Sequence, residues 1–159
     1  MNDVARFRER FSRLLIAILW ANAVVLAVGT PSTSPLHSPA IMLAGVALAA
    51  LGTMVCRIHC TGWMTRQVSS IATMGQVMLL VYAFAGHPYQ SDMHMYFFAM
   101  LAVLAGWLDW RIFIPATIAI VLHHLAFSLL MPSGVFLNGN QVDRVMLHGL
   151  IVAVQSIAL

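Results

Sequence analysis

Lysine is absent from the chain, and its 159 residues include only two cysteines and five acids. Charged side chains make up 8% of the residues against 61% apolar, and the mean hydropathy is +0.89. So few charges cannot cover a water-exposed surface, which excludes a soluble fold and implies an integral membrane protein. Eight arginines give a formal charge of +3, but they form no stripe that would follow a phosphate backbone, so nucleic-acid binding is excluded. The sequence has no phosphate-cradling glycine loop, no serine nucleophile elbow and no HExxH, which leaves nucleotide and hydrolytic chemistry unsupported.

Six apolar segments approach the roughly 20 residues that a helical span requires. They run over approximately 12–29, 39–57, 67–85, 93–108, 112–131 and 144–159. The connections hold Pro31, Pro35, Pro39, Gly86, Pro88, Pro132, Gly134 and Gly139, the helix breakers expected there. The third segment carries Ser69, Ser70, Thr73 and Gln76, which suit a seam between helices better than a lipid-facing surface. A basic start, Arg6 to Arg13, followed by an apolar run to Ala27-Val28-Gly29, imitates a signal peptide. The length of that run and the segments after it favour a retained first span.

Arg6, Arg8, Arg10, Arg13, Arg57, Arg66 and Arg111 fall on one side of this topology and Arg144 alone on the other, a strong positive-inside bias. The expected fold class is therefore an all-α integral membrane bundle of six transmembrane helices, a single domain over 1–159 with both termini cytoplasmic. Cys56 and Cys60 then lie at the cytoplasmic face, where thiols stay reduced, and no disulfide is expected. With His59 they have helical spacing, a weak signal for a soft ion. Trp107, Asp109, Trp110 and Arg111 read as an interfacial aromatic belt with a tight turn in which Asp109 pairs with Arg111. The last apolar segment runs to Leu159 without a polar tail, from which a longer protein is expected, this chain being its membrane input module.

Five of the seven histidines, His87, His94, His123, His124 and His148, fall at the outer ends of the last three spans and in the loop before them. At a rise of about 1.5 Å per residue, His148 lies roughly 7 Å below Asp143, and His123 and His124 two to three helical turns below Pro132. One layer in the outer half of the membrane can hold all five. His37, in the first outer loop, is close enough to join it, whereas His59 is cytoplasmic. Helical phase aligns His124, Ser128 and Met131 on the fifth span and turns His123 about 100° away. It also aligns Arg144, His148 and Gln155 on the sixth. The string DMHMYFF gathers Asp92, Met93, His94, Met95 and Tyr96 at the membrane surface. Imidazole, carboxylate and thioether together are a copper ligand set, and imidazoles from two facing helices are that of haem b.

Any one of these histidines, taken alone, is most often an interfacial residue with a wet tip. Several at one depth point instead to a shared centre, because polar groups in a bilayer carry a cost of a few kcal/mol each unless they are partnered. The expected ligands are His94, His148 and one or both of His123 and His124, with His87 and Asp92 nearby and Met93, Met95 and Met131 as additional candidates. The adjacent pair cannot aim both rings at one ion without distortion, so one of the two supports the other or binds a second ion. Met93 and Met95 also fit lipid-facing filler, and Asp92 and Asp143 also fit helix N-caps. Copper is the first expectation and haem b the alternative, using the same histidines.

The strings GHPYQSDMHMYFFAMLAVLAGWLDWR, LHHLAFSLLMPSGVF and RVMLHGLIVAVQS, over roughly residues 80 to 156, resemble the amino-terminal membrane region of a group of bacterial methyl-accepting chemotaxis proteins. The resemblance implies a receptor that works as a homodimer in the bacterial inner membrane and signals through a cytoplasmic domain to a histidine kinase pathway. The logic is also similar to that of six-span MHYT sensor modules, proposed copper binders, although this chain has MHMY at 93–96. The expected function is thus a transmembrane sensory input domain, not an enzyme, embedded in the lipid bilayer and holding a metal or metallocofactor near its periplasmic side. A haem or copper oxidoreductase is the alternative, although it would want further histidines at the inner side, where only His59 stands. A metal transporter ranks behind it, because the fourth and fifth spans are unbroken in their middles.

Overall fold

A computed structural model of the protein describes residues 3–29, 39–131 and 142–159, of which 142–145 are described by their backbone. The described residues form six α-helices and no strand. They are α1 (Asp3–Val28), α2 (Pro39–His59), α3 (Trp63–Ala83), α4 (Gln90–Leu104), α5 (Phe113–Leu130) and α6 (Val142–Ala158). Two single 3-10 turns, Ala105–Trp107 and Trp110–Ile112, join α4 to α5.

Among the described residues three stretches are long and apolar enough to cross a membrane: Asp3–Val28, Pro39–His59 and Trp110–Leu130. That number is half of the six expected. α4 begins at Gln90, earlier than expected, and stops at Leu104, giving 15 residues or about 22 Å. Its expected last turn tightens into the 3-10 segment that ends at Leu108, whose φ of 51° breaks the helix. α3 matches α2 in length at 21 residues but, among the described residues, carries more buried polar side chains than any other helix.

α3 is the central helix, packed against α1, α2, α4 and α5. Ser69, Ser70, Thr73 and Gln76 are all fully buried, so the polar face does form the interhelical seam. Ser70 and Thr73 donate to carbonyls four residues back, at 2.7 Å each, which satisfies their hydroxyls without a partner helix. Gln76 instead spends its two amide hydrogens on Leu19 O of α1 and Gly45 O of α2, both at 2.9 Å. This tie needs a close approach of the helices. A Cβ on Gly45 would stand 2.5 Å from Leu26 and one on Gly52 2.7 Å from Leu19, so small residues on α2 let α1 lie against it.

A continuous apolar core links Leu15 of α1, Val77 of α3, Phe97 and Leu101 of α4, Ile120 of α5 and Val152 of α6. α6 runs antiparallel to α5, with Thr117 and Ser156 hydroxyls 2.8 Å apart, and Gln155 donates to Phe98 O at 3.0 Å. On the outside, Leu43, Met54, Ile118, Leu122, Leu129 and Leu150 are exposed, as helices facing hydrocarbon require.

At one end of the bundle Arg8 donates to Trp107 O and Leu108 O. Asp109 pairs with Arg66 of α3 at 2.6 Å, and its other oxygen accepts the backbone N–H of Arg111. The expected Asp109–Arg111 side-chain pair is thereby corrected: the turn aims the carboxylate back at α3. Cys56 and Cys60 are also corrected, being joined as a disulfide. α2 ends at His59, and the turn at Cys60 brings the two Cα atoms to 3.9 Å, while the Ser12 hydroxyl lies within 3.2 Å of both sulfurs. The expectation of free thiols rested on compartment and took no account of this turn.

Candidate metal centre

The other end of the bundle holds the histidines. His94 stands in the second turn of α4, His124 in the second half of α5 and His148 in the first half of α6. Because α5 and α6 are antiparallel, His124 and His148 meet at one level, and α4 supplies His94 beside them. The ring centres form a nearly equilateral triangle: His94–His124 5.5 Å, His124–His148 5.6 Å and His94–His148 6.0 Å. His94 and His124 are buried, and His148 is half-buried.

Two of the three rings are oriented by their own helices. His94 Nδ1 lies 3.1 Å from Gln90 O and His124 Nδ1 lies 2.9 Å from Ile120 O, in each case four residues back. A carbonyl can only accept, so Nδ1 carries the proton and the lone pair of the neutral ring sits on Nε2. Metal-ligating histidines are commonly fixed in this way, the second ring nitrogen donating to a backbone carbonyl. Phe97 packs 5.6 Å from His124 and Phe98 6.3 Å from His148, walling the rings in. Beside them lies a cavity of about 20 Å³ lined by His124, His148, Ile120 and Gly149 among others, room for one small ion or one water.

With metal–nitrogen bonds of about 2.0–2.1 Å, three imidazoles on one ion place their ring centres roughly 5 to 5.5 Å apart. The triangle is slightly wider than that. Among the described residues no three His, Cys, Asp or Glu side chains stand close enough to grip an ion as they are placed.

The other expected ligands are dispersed. His123 packs 5.3 Å from His124 with its ring almost perpendicular and 4.7 Å from Phe127, facing α2 and α3 as helical phase requires. His87 is held in the turn before α4, between Phe84 and Tyr89, and accepts the Tyr89 N–H. Asp92 is exposed in the first turn of α4. It is not the N-cap, a position that Tyr89 occupies because the helix begins earlier than expected. Met93 packs into the apolar core, Met95 is 66% exposed, and Met131 lies past the end of α5 and is exposed. Ser128 is buried on the His124 face. Tyr96 turns away to donate to Asn22 of α1 at 2.7 Å. His37 and the side chains of Asp143 and Arg144 lie outside the described residues. Sequence reasoning passed over Phe97, Phe98 and the Gln90 and Ile120 carbonyls. The i, i+4 spacing from each histidine was the available signal for those carbonyls.

No protein-family model, curated protein or solved structure matches the chain.

Proposed function

We propose that the chain is a multi-pass sensory input domain of a bacterial inner membrane, with six spans and both termini cytoplasmic, that binds a metal ion through His94, His124 and His148. The observation that carries this reading is the histidine triangle itself, built from three helices. Two of its rings, His94 and His124, have Nδ1 held by their own helices, and an ion-sized space lies against His124 and His148. Imidazole ligands suit copper, zinc, nickel and iron, and among divalent ions of the first row copper binds such sites most tightly, so copper is the preferred occupant. The space beside the rings is about 20 Å³, which favours a bare ion over the haem macrocycle.

An ion held there ties α4, α5 and α6 together at one end, so its arrival or loss biases their packing, and α6 is the helix placed to carry the change toward the cytoplasm. The gathering of Arg8, Arg66 and Arg111 round the opposite end supports a cytoplasmic location for that end. The chemoreceptor-like strings support a homodimer that feeds a cytoplasmic signalling domain and a histidine kinase pathway. Elemental analysis and an absorption spectrum of the protein purified from native membranes test the reading. Copper near one equivalent per chain without a Soret band is the expected result. A Soret band would replace the bare ion with haem, and a metal-free protein that takes up none of copper, zinc or nickel would remove the chemical basis of the sensor.

A further inference from the structure

The arginine-rich end of the bundle holds more cations than its own acids occupy. Seven arginines stand there, and each of the three carboxylates is already taken: Asp3 by Arg6, Glu9 by Arg13 and Asp109 by Arg66. Arg111 is exposed and pairs with no carboxylate among the described residues; its guanidinium lies instead 5.9 Å from the centre of the Trp110 ring. The same residue lines a groove of about 390 Å³ between α3 and α5, walled by Trp63 and Gln67 on one side and by Trp110, Ile114 and Ile118 on the other. α3 and α5 both start at this end, so the groove runs inward from the two indoles, about 12 Å from Trp110 to Ile118. Both indoles and both isoleucines are exposed, which leaves the groove open to its surroundings along its length.

We infer that this groove binds one anionic phospholipid, a phosphatidylglycerol, with its phosphate on the Arg111 guanidinium and an acyl chain along Ile114 and Ile118. Three features converge on an amphiphile with an anionic head. A guanidinium presents a planar fork that matches the paired oxygens of a phosphate. Indoles sit at the level of lipid headgroups, with an apolar body and a polar N–H, so Trp63 and Trp110 mark the outer end of the groove as the headgroup layer. Inward of them the α5 wall is aliphatic, Ile114, Pro115 and Ile118, and suits hydrocarbon. A free phosphate would use the cation and leave the indoles and isoleucines bare. Phosphatidylethanolamine carries the same phosphate but brings an ammonium to an end where arginines already outnumber acids, whereas a glycerol head adds no cation. The charge of the head therefore decides the selection. The inference rests on the chain lying in a membrane, one part of the proposed function, and is independent of the ion at the histidine triangle.

The test is native mass spectrometry of the purified protein, with phosphatidylglycerol and phosphatidylethanolamine of the same acyl chains titrated in. One phosphatidylglycerol per chain, retained in preference to phosphatidylethanolamine, is expected. Arg111→Gln should weaken that binding about fivefold. Ile118→Trp, at an exposed position that tolerates bulk, should obstruct the acyl chain and weaken it as well. Arg57→Gln, an exposed arginine at the same end but outside the groove, should leave it unchanged. Equal retention of the two lipids, or undiminished binding by Arg111→Gln or by Ile118→Trp, would each overturn the site. An equal loss in Arg57→Gln would overturn it in favour of the diffuse field of the arginines, and equal competition by soluble glycerol phosphate in favour of a free phosphate ester. Metal content should be the same in all three variants. Equal retention of the two lipids by a protein that keeps its metal would remove this inference alone, whereas a chain recovered from the soluble fraction of the cell would remove it together with the proposed function.

Discussion

Arg66 on α3 and Asp109 in the α4–α5 turn pair at 2.6 Å with 16% and 12% of their side chains exposed. The guanidinium also lies 5.9 Å from the Trp63 ring, and the second carboxylate oxygen holds the Arg111 N–H. Removing one member of such a pair leaves the other buried and uncompensated. Asp109→Ala should therefore cost about 3 kcal/mol, while Arg111→Ala, at an exposed side chain, should change stability by less than about 0.5 kcal/mol. Thermal unfolding of the variants in one detergent distinguishes the two, and equal losses would mean that the expected local pair is the one that matters.

Gly106 is required for space. A Cβ there would overlap the ring of Phe11, which is itself wedged edge-on against Trp107 with centroids 5.2 Å apart. Gly106→Ala should destabilise the protein by about 1–3 kcal/mol through overpacking. Gly149, inside α6, meets nothing within 4 Å, so Gly149→Ala should be neutral or add up to about 1 kcal/mol of helix propensity. A neutral Gly106→Ala in the same unfolding assay would show that α1 does not rest on the α4–α5 turn as described.

Arg8, Arg66, Asp109 and the Cys56–Cys60 turn share one end of the bundle, and the histidine triangle lies toward the other. Reporter fusions after Arg66 should therefore be active only in the cytoplasm and fusions after Pro88 only in the periplasm. The opposite pattern would invert the bundle and put the triangle on the inner side.

The sequence made the helices and their order legible because apolar runs and Pro/Gly breaks are local signals. It also foretold the buried polar face of α3, since serine, threonine and glutamine at helical spacing have few other uses in so apolar a chain. Lengths were less legible: the α4 end depends on the left-handed Leu108, which no composition signals. Within the site, depth alone brought His94, His124 and His148 to one level. It did not separate His123 from His124, because phase says only that the two diverge, and the neighbouring helices decide which ring meets the others. Asp109 was read as a local pair because Arg66 is distant in sequence and near only after α3 has packed.

α6 presents Leu147, Leu150, Ile151 and Val154 outward, an i, i+3, i+4, i+7 stripe, while Val152 is buried and His148 is half-buried on its other face. If two chains pair along this helix, single cysteines at 147, 150, 151 and 154 in a Cys56→Ser, Cys60→Ser background should cross-link in native membranes, and cysteines at 148 and 152 should not. Flat or absent cross-linking along the stripe would leave those side chains to lipid and remove the homodimer.

The histidine triangle predicts a graded loss of metal. His94→Ala and His124→Ala each remove a ring whose Nδ1 is pinned to its own helix, so either should abolish most binding. His148→Ala removes the half-buried corner and leaves two imidazoles, so affinity should fall at least as far as it does for typical losses of an outer partner, about 10- to 100-fold. His59→Ala, at the far end of α2, and His87→Ala, held between Phe84 and Tyr89, should leave metal content unchanged. Asp92→Ala and Met95→Ala should also be silent, because both side chains are exposed. Elemental analysis of the series against the protein's own sulfur measures each ratio. If the His94→Ala, His148→Ala double variant folds and keeps its full complement of metal, the three rings are packed polar side chains only, and the ion, if there is one, binds elsewhere.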